Sequence, residues 1–231
     1  MPDLPDPPAL PDPKMPLYTA DALVLRTYKL AEADRIVVFL TRDRGKKRGV
    51  APHARRAKSR FRGALEPLTE VRVAYFERER RELVNLNYAE PVRSPLASAS
   101  PESLAYSHYF AELIDAWAAD ADADERLFRL GCSVLDALST GTASEALARY
   151  FECWLLRLQG VYPSNMSLSQ GALAFIDATR QVTPADAGRL GATTGVLREL
   201  ELKHQALIAS HLEKELKSIR VMNELRRLPE Q

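Results

Sequence analysis

Arg35-Ile-Val-Val-Phe-Leu-Thr41 is the stretch that decides the fold. It is a short β-branched and aromatic run closed off by charged residues, which is the pattern of a strand rather than a helix. Reading outward, Ala22, Val24 and Arg26 alternate with Leu23, Leu25 and Thr27 upstream. Downstream, Arg48-Gly-Val-Ala51 continues after a turn at Gly45, followed by Val71-Arg-Val-Ala-Tyr-Phe-Glu77 and Leu83-Val-Asn-Leu-Asn-Tyr88. Five short strands in about 75 residues, separated by charged or Gly/Pro turns, favour a closed or nearly closed barrel over an open sheet. The five-stranded OB-fold is the reading for residues 17–93, with an SH3-like barrel as the alternative.

The periodicity then changes. Residues 91–101, PVRSPLASASP, are rich in proline and serine, and a linker is expected over 94–101. Ser100-Pro101 fits an N-cap followed by proline in the first turn, and Tyr106, Tyr109, Phe110, Leu113, Ile114 and Trp117 then make one apolar helical face. Asp122-Ala-Asp-Glu125 and Thr142-Ala-Ser-Glu145 read as capping boxes for two further helices. Gly160 and Pro163 end the second of these. A shorter helix is expected over 170–180, a turn at Thr183-Pro184, and one long helix or two over 194–226. The class is therefore α+β, with a barrel followed by a helical domain over 102–231. Residues 1–16 hold seven prolines, so neither helix nor sheet is expected there. A disordered, passive extension is the reading, and a ligand for an SH3-type module is the alternative.

Charge is distributed unevenly. Taken as a sum, the net charge of +1 over 231 residues argues against a strongly basic polyanion binder. Residues 17–95, however, carry 18 Lys/Arg against 10 Asp/Glu, whereas residues 96–231 carry 13 against 18. Such asymmetry points to nucleic acid. The basic excess is concentrated in residues 42–62, RDRGKKRGVAPHARRAKSRFR, with ten Lys/Arg and one Asp. Glycine and proline interrupt it, so it reads as strand, turn and loop rather than a basic helix. Like charges this dense repel one another unless something anionic compensates. Lys46, Lys47, Arg48, Arg55, Arg56, Lys58, Arg60 and Arg62 are the expected phosphate contacts, with Arg35 as an addition. Phe61 is read as an anchor of the loop to the barrel, with base stacking as the alternative.

No enzyme is expected. The chain has no P-loop, GxGxxG, HExxH or GxSxG. His53, His108, His204 and His211 are scattered, and no carboxylate pair is marked as acid and base. No metal or cofactor is expected. Cys132 and Cys153 are read as buried free thiols of a reducing compartment. No apolar run approaches the ~20 residues that cross a bilayer, and no leader pattern opens the chain, so a cytoplasmic location is expected.

Several pieces taken together resemble the bacterial recombination mediator RecO family. They are Leu30-Ala-Glu-Ala-Asp-Arg-Ile36, Phe39-Leu-Thr41, Gly45-Lys46 and Ser59-Arg-Phe-Arg-Gly-Ala-Leu-Glu-Pro-Leu68. In the helical half, Leu155-Leu-Arg-Leu-Gln-Gly-Val-Tyr-Pro163 is similar to that family's LLxxLGYxP helix end, and Leu216-Lys-Ser218 to its LKS signature. The likeness covers roughly residues 17–225. It implies an OB-fold joined to a helical domain, binding of single- and double-stranded DNA, and annealing of complementary strands. It further implies contact with RecR and with the acidic tail of single-stranded DNA-binding protein, loading of RecA, and association with the nucleoid during repair. Arg126, Arg129, Arg149 and Arg157 are the candidate contacts for the acidic tail, with a mostly structural role for that face as the alternative. The chain departs from the family at residues 163–172, PSNMSLSQGA, which lack the four-cysteine zinc site of many members, so no zinc-finger subdomain is expected. An RNA- or ribosome-binding OB factor without annealing activity is the alternative function.

Overall fold

The computed structural model describes residues 16–78, 81–97, 100–142, 144–163, 165–212, 216, 218 and 219. The proline-rich tail therefore lies outside the described residues except for Pro16. Five strands, β1 (Leu17–Leu30), β2 (Asp34–Thr41), β3 (Gly45–Ala51), β4 (Glu70–Phe76) and β5 (Leu83–Arg93), close into a barrel in the order β1-β2-β3-β5-β4. The β3–β5 pairing is parallel and the others antiparallel. This is the five-stranded OB architecture. Closure depends on the length of β1: Leu17 to Leu23 pair with β4, and Ala22 to Leu30 with β2 across a bulge between Val24 and Arg26. β5 runs past Tyr88 through Pro91, which is tolerated because the ladder is irregular where Pro91 meets Val71.

The run that reads as a strand is also buried on both faces. Val37 and Phe39 point into the barrel, while Val38 and Leu40 join the helical core. Ala22 and Val24 likewise face inward, and Leu23 and Leu25 outward. A strand covered on both sides loses the apolar/polar alternation of a half-exposed one. The barrel and helices thus share one interface rather than being joined by a linker alone.

Among the described residues, a short 3-10 turn at Pro95–Ala97 is followed by the α-helices α1 (Pro101–Trp117), α2 (Glu125–Ser139), α3 (Glu145–Leu158), α4 (Gln170–Ala178) and α5 (Thr194–Leu212), with a 3-10 segment at Pro184–Leu190 before the last. Ser100 caps α1 as expected, accepting from the Ser103 amide. The expected boxes at Asp122 and Thr142 are displaced by two residues. Asp124 and Ser144 are the N-caps, accepting from the Leu127 and Leu147 amides, and Glu125 and Glu145 open the helices instead of closing a box. Physically, the nearer side-chain oxygen reaches the orphan amide of the first turn. Phe110 and Phe151 stack at a 4.5 Å centroid separation where α1 meets α3. Leu216 is buried in this core, and both the amide and the hydroxyl of Ser218 donate to Glu112 of α1. The LKS segment thereby docks on α1; Lys217 lies outside the described residues.

Gly45 sits where β3 meets the segment after α1. The Lys46 amide donates to the Ala119 carbonyl, and the Ala121 amide to the Lys46 carbonyl. At Gly45 φ is +66°, and a Cβ would come within 2.3 Å of the Asp122 backbone. Gly45→Ala should therefore cost about 2–4 kcal/mol, from left-handed strain plus a backbone clash. Gly63→Ala, at φ +74° with nothing within 4 Å, should cost only the strain, about 1 kcal/mol. Urea unfolding of the two variants checks this, and equal losses would remove the role given to close packing at Asp122.

Candidate nucleic-acid interface

Residues 52–69 link β3 to β4 over one end of the barrel. The loop is a succession of tight turns: the Arg56 amide donates to His53, Ser59 to Arg56, Arg62 to Ser59 and Ala64 to Phe61, each to the carbonyl oxygen. It is fixed at three places. The His53 amide donates to Asp34 Oδ1 at 2.7 Å and the Arg55 amide to the Ala33 carbonyl at 2.9 Å. Phe61, Ala64 and Leu65 plug the barrel core, with Phe61 only 2% exposed. The Leu68 amide donates to Val24, whose own amide donates to Thr69. Phe61 is thus the anchor, and burial removes it as a stacking residue.

With its apolar side inward, the loop turns its basic side to water. Arg48, Arg55, Arg56, Lys58, Arg60 and Arg62 are exposed. Among the described residues none of the six makes an ion pair with a carboxylate. The Arg55 guanidinium instead donates to the Ala31 and Glu32 carbonyls of the β1–β2 turn, at 3.1 and 2.7 Å, so the loop and that turn form one surface. Arg60 lies 5.1 Å from the Phe61 ring centroid. Arg35 is half-buried at the same end and donates to Thr27 Oγ1.

Lys46 and Lys47 belong to a different part of the molecule. The Lys46 ammonium donates to the Asp115 carbonyl at 2.9 Å and lies near the Asp115 and Asp120 carboxylates, with its side chain 11% exposed. Lys47 donates to Glu77 at 2.6 Å, with 13% exposure. Both are engaged internally, which sets them apart from the six exposed cations. Lys46 fits a larger pattern: Arg26 also pairs with Asp115, Arg42 with Glu125, and Arg93 with Asp136, while Lys47 and the Arg93–Glu70 pair stay within the barrel. The acidic excess of the helical half is partly matched to the barrel across their interface. Arg42, through its hydrogen bond and charge, holds the Glu125 carboxyl below the usual carboxylate range.

The four arginines expected to form one peptide site are not brought together. Arg126 and Arg129 are exposed on α2. Arg157 is half-buried on α3, donating to Thr179 Oγ1 and the Ile176 carbonyl beneath Trp154 and Tyr162. Arg149 is 2% exposed and pairs with Glu152 at 2.7 Å and Glu201 at 3.8 Å. Around them lies a buried polar cluster that sequence reading missed. Glu152 also accepts from the Tyr109 hydroxyl at 2.5 Å and from His204 Nδ1 at 2.8 Å, and His204 Nε2 lies 3.1 Å from the Tyr162 hydroxyl. Burial and the Glu152 charge push the Tyr109 hydroxyl well above its ordinary value. Burial likewise pushes the Cys153 thiol up to about 12. Cys153 is buried as expected, whereas Cys132 is only half-buried. Both are free thiols.

The turn at Arg78–Arg81 falls partly outside the described residues, as Glu79 and Arg80 do. Among the described residues no helix is long and apolar enough to cross a membrane.

An OB-type barrel packed on a helical domain, with a pinned basic loop over one end, is an arrangement suited to meeting a polyanion. Comparison with known proteins narrows this. Residues 15–95 match the family described as recombination protein O N terminal, and residues 98–167 match recombination protein O C terminal. The chain belongs to the RecO family. It is 43% identical over 152 residues to the DNA repair protein RecO of Koribacter versatilis, covering 65% of this chain and 62% of that one. Identity to the RecO of Pelotomaculum thermopropionicum is 38%, covering 69% and 62%. The RecO of Anaeromyxobacter sp. (strain K) is 33% identical over 190 residues, covering 81% and 75%. The chain thus spans about 62% of the length of the first two relatives. The C-terminal match stops at residue 167, short of the LKS segment.

Proposed function

We propose that this chain is a DNA-binding recombination mediator, which binds single- and double-stranded DNA and anneals complementary strands. Membership of the RecO family supports the repair role. The observation that carries DNA binding is the set of exposed cations Arg55, Arg56, Lys58, Arg60 and Arg62 on a loop anchored by Phe61, with Arg48 on β3, none of them paired with a carboxylate among the described residues. Annealing requires two polyanions to approach despite phosphate repulsion. A multivalent basic surface lowers that repulsion by releasing condensed counterions, without reading sequence and without covalent chemistry. A pinned loop suits this because ordering it on binding costs less entropy than ordering a free arm.

The partners follow from the same reading. The helical domain is the surface for RecR and for the acidic tail of single-stranded DNA-binding protein, with Arg126 and Arg129 as the tail contacts, and the assembly loads RecA at the nucleoid. The test is a strand-annealing assay together with affinities measured from 50 to 200 mM salt. Annealing should be observed, and single-strand affinity should fall roughly 10²- to 10³-fold across that range if about six phosphates are contacted. No annealing, or a flat salt response, would overturn the reading. Preference for RNA in direct competition would replace it with that of an RNA-binding OB factor.

A further inference from the structure

Phosphate contacts alone do not distinguish a single strand from a duplex. Distinguishing them requires a group that meets the face of an unpaired base, and Phe61 is buried. Among the described residues, Tyr28, 44% exposed near the end of β1, is the exposed aromatic residue beside the basic surface. Its setting differs from that of an incidental surface tyrosine. The Arg26 guanidinium lies 5.1 Å from its ring centroid. Arg26 is itself held by Asp115 of α1 at 2.8 Å, so the helical domain fixes the cation that covers part of the ring.

The sheet register extends this surface. Tyr28 is paired with Ile36, and Ile36 with Val50; Arg26 is paired with Val38, and Val38 with Arg48. Cross-strand partners share a face. Tyr28, half-buried Ile36 and half-buried Val50 therefore form one row across β1, β2 and β3, with Arg26 and Arg48 at the two ends of the next. That row's middle residue, Val38, is covered by the helical core, so the helices stop where the Tyr28 row begins. At the turn beyond Tyr28, the loop is fastened through Arg55. A strand whose phosphates lie on Arg55 and Arg56 has its bases next to Tyr28, on the barrel face that OB-folds present to oligonucleotides.

We propose that Tyr28, backed by Arg26, is a base-stacking platform that adds affinity for single-stranded DNA but not for duplex. This rests on the DNA-binding reading above and deepens it. The platform is selective because every base offers a π-face once unpaired, whereas a duplex must first be unstacked.

The test compares wild type, Tyr28→Ala and Tyr28→Phe of the full chain, binding a labelled oligothymidylate and a duplex of equal length. Tyr28→Ala should weaken the single strand by ~5- to 100-fold and leave duplex affinity within about twofold, which also shows that the variant is folded. Tyr28→Phe should keep wild-type affinity. Replacing thymines by abasic residues should weaken wild type by a similar factor and abolish its difference from Tyr28→Ala. Equal single-strand binding by Tyr28→Ala and wild type, or an equal loss on both substrates, overturns the platform while leaving the DNA-binding reading intact. Failure of wild type to bind either substrate overturns both.

Discussion

Arg149→Ala is expected to destabilise the protein by about 3–5 kcal/mol, because it leaves the Glu152 carboxylate without its buried arginine, whereas Glu201 keeps Arg198 at 2.5 Å. The guanidinium is enclosed, pairing with one carboxylate at 2.7 Å and facing the other at 3.8 Å. Against a typical stability of ~5–15 kcal/mol, that is a large fraction of the total. The urea midpoint should fall markedly, whereas Arg126→Ala or Arg129→Ala, on the exposed face of α2, should change the unfolding free energy by less than about 0.5 kcal/mol. The contrast separates two roles that sequence reading gave to the same four arginines. A structural Arg149 lowers stability and leaves the DNA affinity of the folded protein unchanged. A peptide-binding Arg149 would do the reverse, weakening acidic-peptide binding at constant stability, and that result would overturn its placement in the core.

The difference between Arg149 and the strands shows what this sequence makes legible. The run from Arg35 to Thr41 is local: its β-branched residues specify a strand whatever surrounds them. Five such runs with short turns leave few closed arrangements, so the barrel is readable before any contact is known. Residue roles are less readable because they depend on partners far along the chain. Lys46 and Lys47 sit in the same charge run as Arg55 and Arg56. What makes Lys46 structural is Asp115, 69 residues away, and what occupies Lys47 is Glu77. Nothing in the local pattern marks either.

Arg149 did carry a usable signal. It and Glu152 form an i,i+3 pair inside α3, whose residues from Ala146 to Cys153 are all buried. Opposite charges at that spacing, set among Leu147, Tyr150 and Phe151, indicate a buried pair rather than a solvated face. Tyr28 left no comparable trace. Its significance comes from the β1 bulge, the register with β2 and the arginine held by α1, all of them products of closure.

Replacing Arg55, Arg56, Lys58 and Arg60 together by alanine is expected to abolish annealing and to flatten the salt dependence of DNA binding while the protein stays folded. The four side chains are exposed, and what fixes the loop survives their removal: Phe61, Ala64 and Leu65 remain in the barrel and the backbone bonds at His53 and Leu68 persist. The losses are the Arg55 bonds to the β1–β2 turn and the Arg60 contact with the Phe61 ring, together worth ~1–2 kcal/mol at an exposed site. Each phosphate contact on a single strand contributes about 0.7 to the slope of log affinity against log salt, so losing four should make the slope shallower by roughly 3. Lys46→Ala should behave oppositely. It removes the cation from between Asp115 and Asp120, so the urea midpoint should drop while the slope holds. Combining Lys46 and Lys47 with the loop residues in one variant would mix loss of folding with loss of charge, so the two groups must be measured apart. An unchanged slope in the loop variant, or a slope lost equally in Lys46→Ala, would remove the loop as the phosphate-binding surface and turn attention to the opposite face of the barrel.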